Sequence, residues 1–216
     1  MKNKKYLPVF ALYEEAQELS RKSQKTRNFF NKSQHPLVTG IGKVNAAMKL
    51  GAEMISMRED ELGQTVADTI VNLGTAGSSD FEPGTIVQCM SFYQRDMQLP
   101  GYLQGFTPFE ESKTIDYIVR HKVPKKTKYI AMCSTGDSFV SDMMAGNMMP
   151  DQKRNKVVFD MEAFALAKVC AIYSKKFECY KYITDSGDFE DWAQTLNKAS
   201  KALSKFYIEN FIKGNE

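Results

Sequence analysis

Residues 157–187 read VVFDMEAFALAKVCAIYSKKFECYKYITDSG, and this stretch decides the fold. Val157–Phe159 is a short β-branched and aromatic run, the composition of a strand. Ala163, Leu166, Ala167, Cys170 and Ala171 then recur on one side of a helix running to Tyr173. Phe177–Ile183 returns to strand composition and stops at Thr184-Asp185-Ser186-Gly187, where polar and glycine residues break the run. Strand, helix and strand in immediate succession are the signature of α/β construction.

The same alternation extends in both directions. Toward the N-terminus, strands are expected at Tyr6–Leu12, His35–Gly40, Thr69–Leu73, Thr85–Phe92 and Lys128–Cys133. Helices are expected at Glu14–Lys22, at Ser112–Arg120, and at Val44–Met57, with Val44, Ala47, Met48, Ala52 and Ile55 as the apolar face of the last. A long helix, Trp192–Ile212, closes the chain. Met1 to Lys5 and the apolar run after them resemble an export signal, but Pro8 and Glu14-Glu15 fit a first strand and helix better. The expected fold class is α/β, a three-layer α/β/α single domain over residues 1–216 with a central mixed, mainly parallel sheet.

Composition narrows the function. The chain has 216 residues, 43% hydrophobic and 25% charged, with no repeat or linker-like tract. Lys plus Arg exceeds Asp plus Glu by 29 to 26, a net charge of +3 that gives no basis for a nucleic-acid partner. Without an apolar run of eighteen residues, no membrane span is expected. Cys89, Cys133, Cys170 and Cys179 lie in apolar stretches without a C-x-x-C pair, which reads as reduced core thiols and a cytoplasmic setting. His35 and His121 share no spacing with one another or with the cysteines, so no metal site is expected. Nor do they support a Ser-His-Asp or Cys-His mechanism. The glycine loop Gly40-x-Gly42-x-x-Asn45 lacks the third glycine of a dinucleotide fingerprint, and Leu37 replaces the first glycine of a P-loop.

Chemistry concentrates at the strand ends, where α/β sheets bind ligands. These ends read Gly40-Ile41-Gly42-Lys43, Gly74-Thr75-Ala76-Gly77, Ser134-Thr135-Gly136-Asp137, Asp160-Met161-Glu162 and Thr184-Asp185-Ser186-Gly187-Asp188. Five such ends point to one shared pocket. Asp185, just beyond an apolar strand, suits a partly desolvated proton donor. Glu162 and Glu15 each open a helix, where a carboxylate serves either the helix dipole or a site. Met161, Phe139 and Trp192 fit equally a core or an apolar wall around a flat ring.

Taken together, Thr39-Gly40-Ile41-Gly42-Lys43-Val44-Asn45, Val71-Asn72-Leu73-Gly74-Thr75-Ala76-Gly77, Ser134-Thr135-Gly136-Asp137-Ser138-Phe139-Val140, Phe159-Asp160-Met161-Glu162-Ala163 and Ile183-Thr184-Asp185 resemble the purine nucleoside phosphorylase superfamily. Within it they look most like the methylthioadenosine/S-adenosylhomocysteine nucleosidase branch. The resemblance implies cofactor-free hydrolysis of the N-glycosidic bond of an adenine nucleoside through a ribosyl oxocarbenium ion, by a homodimer. It implies that Asp185 protonates the purine, that Glu162 and the Met161 backbone clamp the ribose, and that Glu15, beside Glu14, activates water. Thr75 falls near ribose and water, Phe139 stacks on the base, and the Val140 backbone meets the adenine edge. Asp137 supports the site from behind.

Two positions depart from the family pattern. Lys181 stands where the nucleosidases carry an arginine that helps hold the water. The stretch from Arg95 to Phe109, which in the family helps form the 5′-substituent pocket, is unlike theirs, and Gly187 to Trp192 is shorter, with Trp192 in the place of an aromatic lid. The alternatives are phosphorolysis on the same fold and a non-catalytic nucleoside-binding protein.

Overall fold

Strand β1 (Tyr6–Phe10) is buried along its whole length, and its alternating side chains feed two separate apolar layers. Tyr6 and Phe10 join Ala16, Leu19, Val71, Leu73, Tyr180, Ala199, Leu203, Tyr207 and Phe211 in one layer. Leu7 and Val9 point the other way, into a layer with Ala46, Leu50, Met54, Ile70, Leu166, Phe177 and Ile183. A strand apolar on both faces belongs in the middle of a three-layer fold, and that is its place in the computed structural model, which describes residues 5–25, 35–56, 67–102, 104–105, 126–141 and 156–213. The expected Ser112–Arg120 helix and His121 lie outside the described residues.

After β1 come α1 (Tyr13–Lys25), β2 (Leu37–Val38), α2 (Lys43–Ser56), β3 (Thr69–Gly77), β4 (Ile86–Gln94), β5 (Ile130–Thr135), β6 (Val157–Asp160), α3 (Ala163–Ile172), β7 (Lys176–Asp185) and α4 (Phe189–Tyr207). The last helix widens into a π-helical turn, Ile208–Ile212. Helices α1 and α4 pack together over one face of the sheet, and α2 and α3 over the other.

The sheet contains two groups of parallel strands running in opposite directions. Strands β2, β1, β3 and β7 form one group, and β4, β5 and β6 the other. They join at two antiparallel seams, Cys89 opposite Cys179 and Gly77 opposite Phe159. Strands β3, β7, β4, β5 and β6 therefore close into a ring, with β1 and β2 as a wing. At the second seam, Gly77, the last residue of β3, meets Phe159, the next to last of β6. Carboxyl ends of oppositely directed strands thus arrive at one place, and the five strand ends share a pocket for this reason.

Three sequence expectations change in detail. Strand β3 does not stop at Gly74. It continues because Gly74, Thr75 and Ala76 pair with Lys181, Tyr182 and Ile183 of β7. On α2 the buried row is Ala46, Leu50 and Met54, whereas Val44, Met48 and Ile55 are 72%, 68% and 60% exposed. Both rows of this helix are apolar, so periodicity alone does not choose between them. Finally, α4 begins at Phe189 rather than Trp192. Asp188 caps it, accepting from the Glu190 and Asp191 N–H groups at 2.7 and 3.2 Å.

Candidate active site

The meeting point of the strand ends is a cavity of about 330 Å³, walled by Glu15, Thr75, Met161, Glu162, Asp185 and Trp192 together with Ile41, Phe139 and Phe189. Each side chain arrives there by a local rule.

Glu15 is the second acid of α1's first turn, and it is buried where Glu14 is exposed. Its Oε2 accepts from the Leu12 N–H at 3.2 Å. Its Oε1 accepts from the Thr75 N–H at 2.7 Å and from Thr75 Oγ1 at 2.8 Å. Gly74 lies beside both charged groups: a Cβ there would stand 3.4 Å from Glu15 Oε1 and from Lys181 Nζ.

Glu162 lies between β6 and α3, and its Oε1 accepts from the Gly42 N–H at 2.8 Å. Gly42 sits at φ +92°, with Asp137 Oδ1 3.1 Å from its would-be Cβ, so no other residue keeps that amide on Glu162. Burial, reinforced by the neighbouring Asp160 charge, pushes the Glu162 carboxyl up to about 8, although Lys181 and the Gly42 N–H pull it down. Asp185 ends β7. Its Oδ2 accepts from Thr184 Oγ1 at 2.7 Å and its Oδ1 from the Gly187 N–H at 2.9 Å. Burial outweighs those two bonds and raises its pKa above the ordinary aspartate value, so the proton stays on to higher pH.

The apolar wall is aromatic. Phe139 and Phe189 meet edge to face at 5.6 Å, and Phe189 leans on Trp192 at 5.1 Å. The Trp192 indole donates to Thr75 Oγ1 at 3.0 Å. Val140 lines a smaller recess that continues the cavity along Gly77, Met161 and Asp185.

Lys181 does not line the cavity. It lies beneath it, on the apolar row of β7, and pairs with Asp160 Oδ2 at 2.8 Å. Asp160 is held further by Thr135 Oγ1 at 2.5 Å and the Ala163 N–H at 2.8 Å. Two supporting residues escaped the sequence reading of the site. Asp160 was legible only as part of a polar strand end. Arg95 donates through both terminal nitrogens to the carbonyls of Ser134, Asp160, Gly136 and Ser138, tying the ends of β5 and β6 together. Phe189 was missed as well, for want of the helix start that places it on the rim. At the lip, Lys43 Nζ reaches Asp96 at 2.5 Å and Asp137 at 3.2 Å. Among the described residues, no three His, Cys, Asp or Glu side chains gather in a metal-holding cluster.

Known proteins share this arrangement of chain. A 5′-methylthioadenosine/S-adenosylhomocysteine nucleosidase of Marinomonas sp. (strain MWYL1) is 26% identical over 197 residues, covering 83% of this chain and 80% of the relative. Two solved Helicobacter pylori structures share the fold. One is a futalosine hydrolase mutant, with TM-score 0.74 and 16% identity over 98% of this chain and 99% of its own. The other is a 5′-methylthioadenosine/S-adenosylhomocysteine nucleosidase complexed with an aminopyrrolopyrimidinylmethyl pyrrolidinol, with TM-score 0.73 and 18% identity over 99% of this chain and 100% of its own. The phosphorylase superfamily profile matches residues 11–213, nearly the whole of the fold that builds the cavity, and the chain belongs to that superfamily.

Proposed function

We propose that the protein hydrolyses the N-glycosidic bond of an adenine nucleoside, of the methylthioadenosine or S-adenosylhomocysteine type, releasing adenine. The observation that carries this reading is the convergence of Glu15, Glu162 and Asp185 on one aromatic-walled cavity. Asp185, whose pKa burial raises, is suited to protonate the leaving purine, making it a neutral base. Glu162 is placed to accept hydrogen bonds from ribose hydroxyls, and its negative charge, when ionised by that contact, stabilises an oxocarbenium ion. Glu15, oriented by three donors, takes a proton from the attacking water. Phe139 and its neighbours offer a stacking face to the base.

Water is favoured over phosphate because the cavity wall holds no Lys or Arg among the described residues. Arg95 reaches only the side recess, and its terminal nitrogens are committed to four carbonyls. Lys43 is engaged by two aspartates. A second copy of the chain on the exposed Val44, Met48 and Ile55 stripe of α2 would give the expected homodimer. The four buried free thiols suit a reducing, cytoplasmic compartment. The deciding experiment incubates the protein with methylthioadenosine, S-adenosylhomocysteine, adenosine and inosine, with and without phosphate, and measures free base. Adenine release independent of phosphate supports the proposal. Strict phosphate dependence gives a phosphorylase instead, and binding without release a nucleoside sensor.

A further inference from the structure

Trp192 is the only tryptophan of the chain, and its ring does more than wall the cavity. Its Nε1 donates to Thr75 Oγ1 at 3.0 Å. An indole N–H can only donate, so the polarity of the next bond is settled. Thr75 Oγ1 accepts from Trp192 and gives its own proton to Glu15 Oε1, 2.8 Å away. The Thr75 N–H reaches the same oxygen at 2.7 Å. A carboxylate oxygen has about two acceptor positions, and on Oε1 both are taken. On Oε2 one is taken, by the Leu12 N–H at 3.2 Å, and among the described residues the other is open.

We infer that Trp192 is a positioning residue that, through Thr75, commits Glu15 Oε1 and leaves Oε2 as the atom that receives the proton of the attacking water. The inference rests on the hydrolase reading above. In the step it describes, the water oxygen bonds to the anomeric carbon as the bond from that carbon to the purine nitrogen breaks. The water proton passes to Glu15 Oε2, and the purine takes its proton from Asp185. Exchange with solvent then restores both carboxyl groups.

The segment that carries Trp192 also touches the acid. The Gly187 N–H donates to Asp185 Oδ1, and Gly187, at φ +115°, packs so closely on the Ser141 carbonyl that a Cβ would lie 2.4 Å from it. Residues 185–192 thus link the proton donor to the proton acceptor through one short turn. The charges around Glu15 are those of Lys181 on β7, of Asp160 at the end of β6 and of Glu162 just beyond it. Trp192→Phe alters none of them, so it isolates the hydrogen bond.

The test uses Trp192→Phe, Thr75→Val and the double variant. Trp192→Phe keeps a ring on the wall and loses the N–H. We expect kcat for adenine release to fall roughly 10-fold, in proportion to one hydrogen bond on a buried carboxylate, with KM and the melting temperature little changed. Thr75→Val should cost more, and adding Trp192→Phe to it should cost nothing further, because the indole acts through that hydroxyl. In the ligand-free protein, Thr75→Val should also shift the emission of the single indole. Unchanged kcat in Trp192→Phe, a loss confined to KM, or additive losses in the double variant would each overturn the inference while phosphate-independent release still stands. Strict phosphate dependence of the unmutated protein overturns the hydrolase reading and the inference together.

Discussion

Lys181→Met is the sharpest probe of how the site is held. Lys181 and Asp160 are 1% and 5% exposed, and their ion pair of 2.8 Å lies directly under the cavity. Removing one partner from such a pair typically costs about 3–5 kcal/mol, because the survivor is a buried charge without its counter-ion. Asp160 keeps Thr135 Oγ1 at 2.5 Å and the Ala163 N–H at 2.8 Å, which places the expected loss near the lower end, ~3 kcal/mol. For a chain of this size that is a fall in melting temperature of roughly 6–12 °C at pH 7. The pH dependence has a definite sign. Burial works to raise the Asp160 pKa, but Lys181, together with the Thr135 hydroxyl and the Ala163 N–H, outweighs it and holds the carboxyl below its ordinary value. The pair's contribution from Asp160 is therefore present above the unfolded-state pKa and is lost only in strong acid. In the variant, burial is unopposed by the cation, so Asp160 takes up a proton more readily and the charge disappears on mild acidification. Melting curves of both proteins between pH 5 and 8 should show the deficit narrowing as pH falls. Adding Asp160→Asn should recover a large part of it. A variant that melts within about 1 °C of the parent at pH 7, or a deficit that widens toward pH 5, would refute the reasoning.

Asp185→Asn removes the proposed proton donor and should lower turnover by at least ~10²-fold with the fold intact, checked by adenine release alongside far-UV circular dichroism. Glu162→Gln should lose activity yet gain stability at alkaline pH. Burial pushes the native carboxyl up to about 8 against 4.5 when unperturbed, so raising pH between those values costs the parent stability, on the order of 5 kcal/mol once ionised. The melting temperatures of the two should agree near pH 4.5 and diverge by pH 9, with the variant higher. Gly136→Ala places a Cβ 2.8–2.9 Å from Arg95 Cγ, Cζ and Nε, a side chain that four carbonyls prevent from yielding. KM should rise more than kcat falls, since the displaced segment carries Phe139 and Val140. Met48→Lys on the exposed α2 stripe should shift sedimentation toward a monomer; an unchanged particle mass would remove that face from the proposed dimer.

How much of this was readable beforehand varied with the range of the interaction involved. The strands and helices were legible because apolar alternation and helical spacing are local, and the stretch from Val157 to Asp185 carries both. Strand β3 was cut short at Gly74 because a glycine reads as punctuation. In the folded chain that glycine is an interior strand residue, paired with Lys181 of β7 and beside Glu15 of α1, partners that are far away in the sequence. The α2 face was misassigned for a related reason: two apolar rows compete, and only the position of the helix against α3 decides which is covered. Glu15, Glu162, Asp185 and the aromatic Phe139 were recognisable as a set through motif resemblance. Arg95 and Asp160 were not, because their partners are backbone carbonyls and a lysine on another strand, which leave no spacing in the sequence.

The ring closure of the sheet accounts for both the chemistry and its cost. Because β3 and β6 meet only at their ends, Glu15, Asp160, Glu162 and Asp185 are driven into one buried neighbourhood. Like charges gathered out of water resist ionisation. Burial raises the Asp185 pKa above the ordinary aspartate value, and burial reinforced by the Asp160 charge lifts Glu162. The same crowding destabilises the fold unless something opposes it, and the opposing groups are few. They are Lys181 against Asp160, the Gly42 N–H against Glu162, and the Leu12 and Thr75 donors against Glu15. Each carboxyl has its own compensating donors; at Asp185 burial outweighs them and raises the pKa, and at Glu15 they leave one position on Oε2 open among the described residues. An arginine in place of Lys181 would spread its charge over a planar fork and ask for more than one acceptor. The compact ammonium pairs with Asp160 and, through space, draws Glu162 down as well. Lys181→Arg should lower the melting temperature, because a larger planar head must fit where Lys181 is 1% exposed and Asp160 already accepts from Thr135 Oγ1 and the Ala163 N–H. If instead the variant melts higher and turns over faster, the lysine is a weaker occupant of a site shaped for a fork.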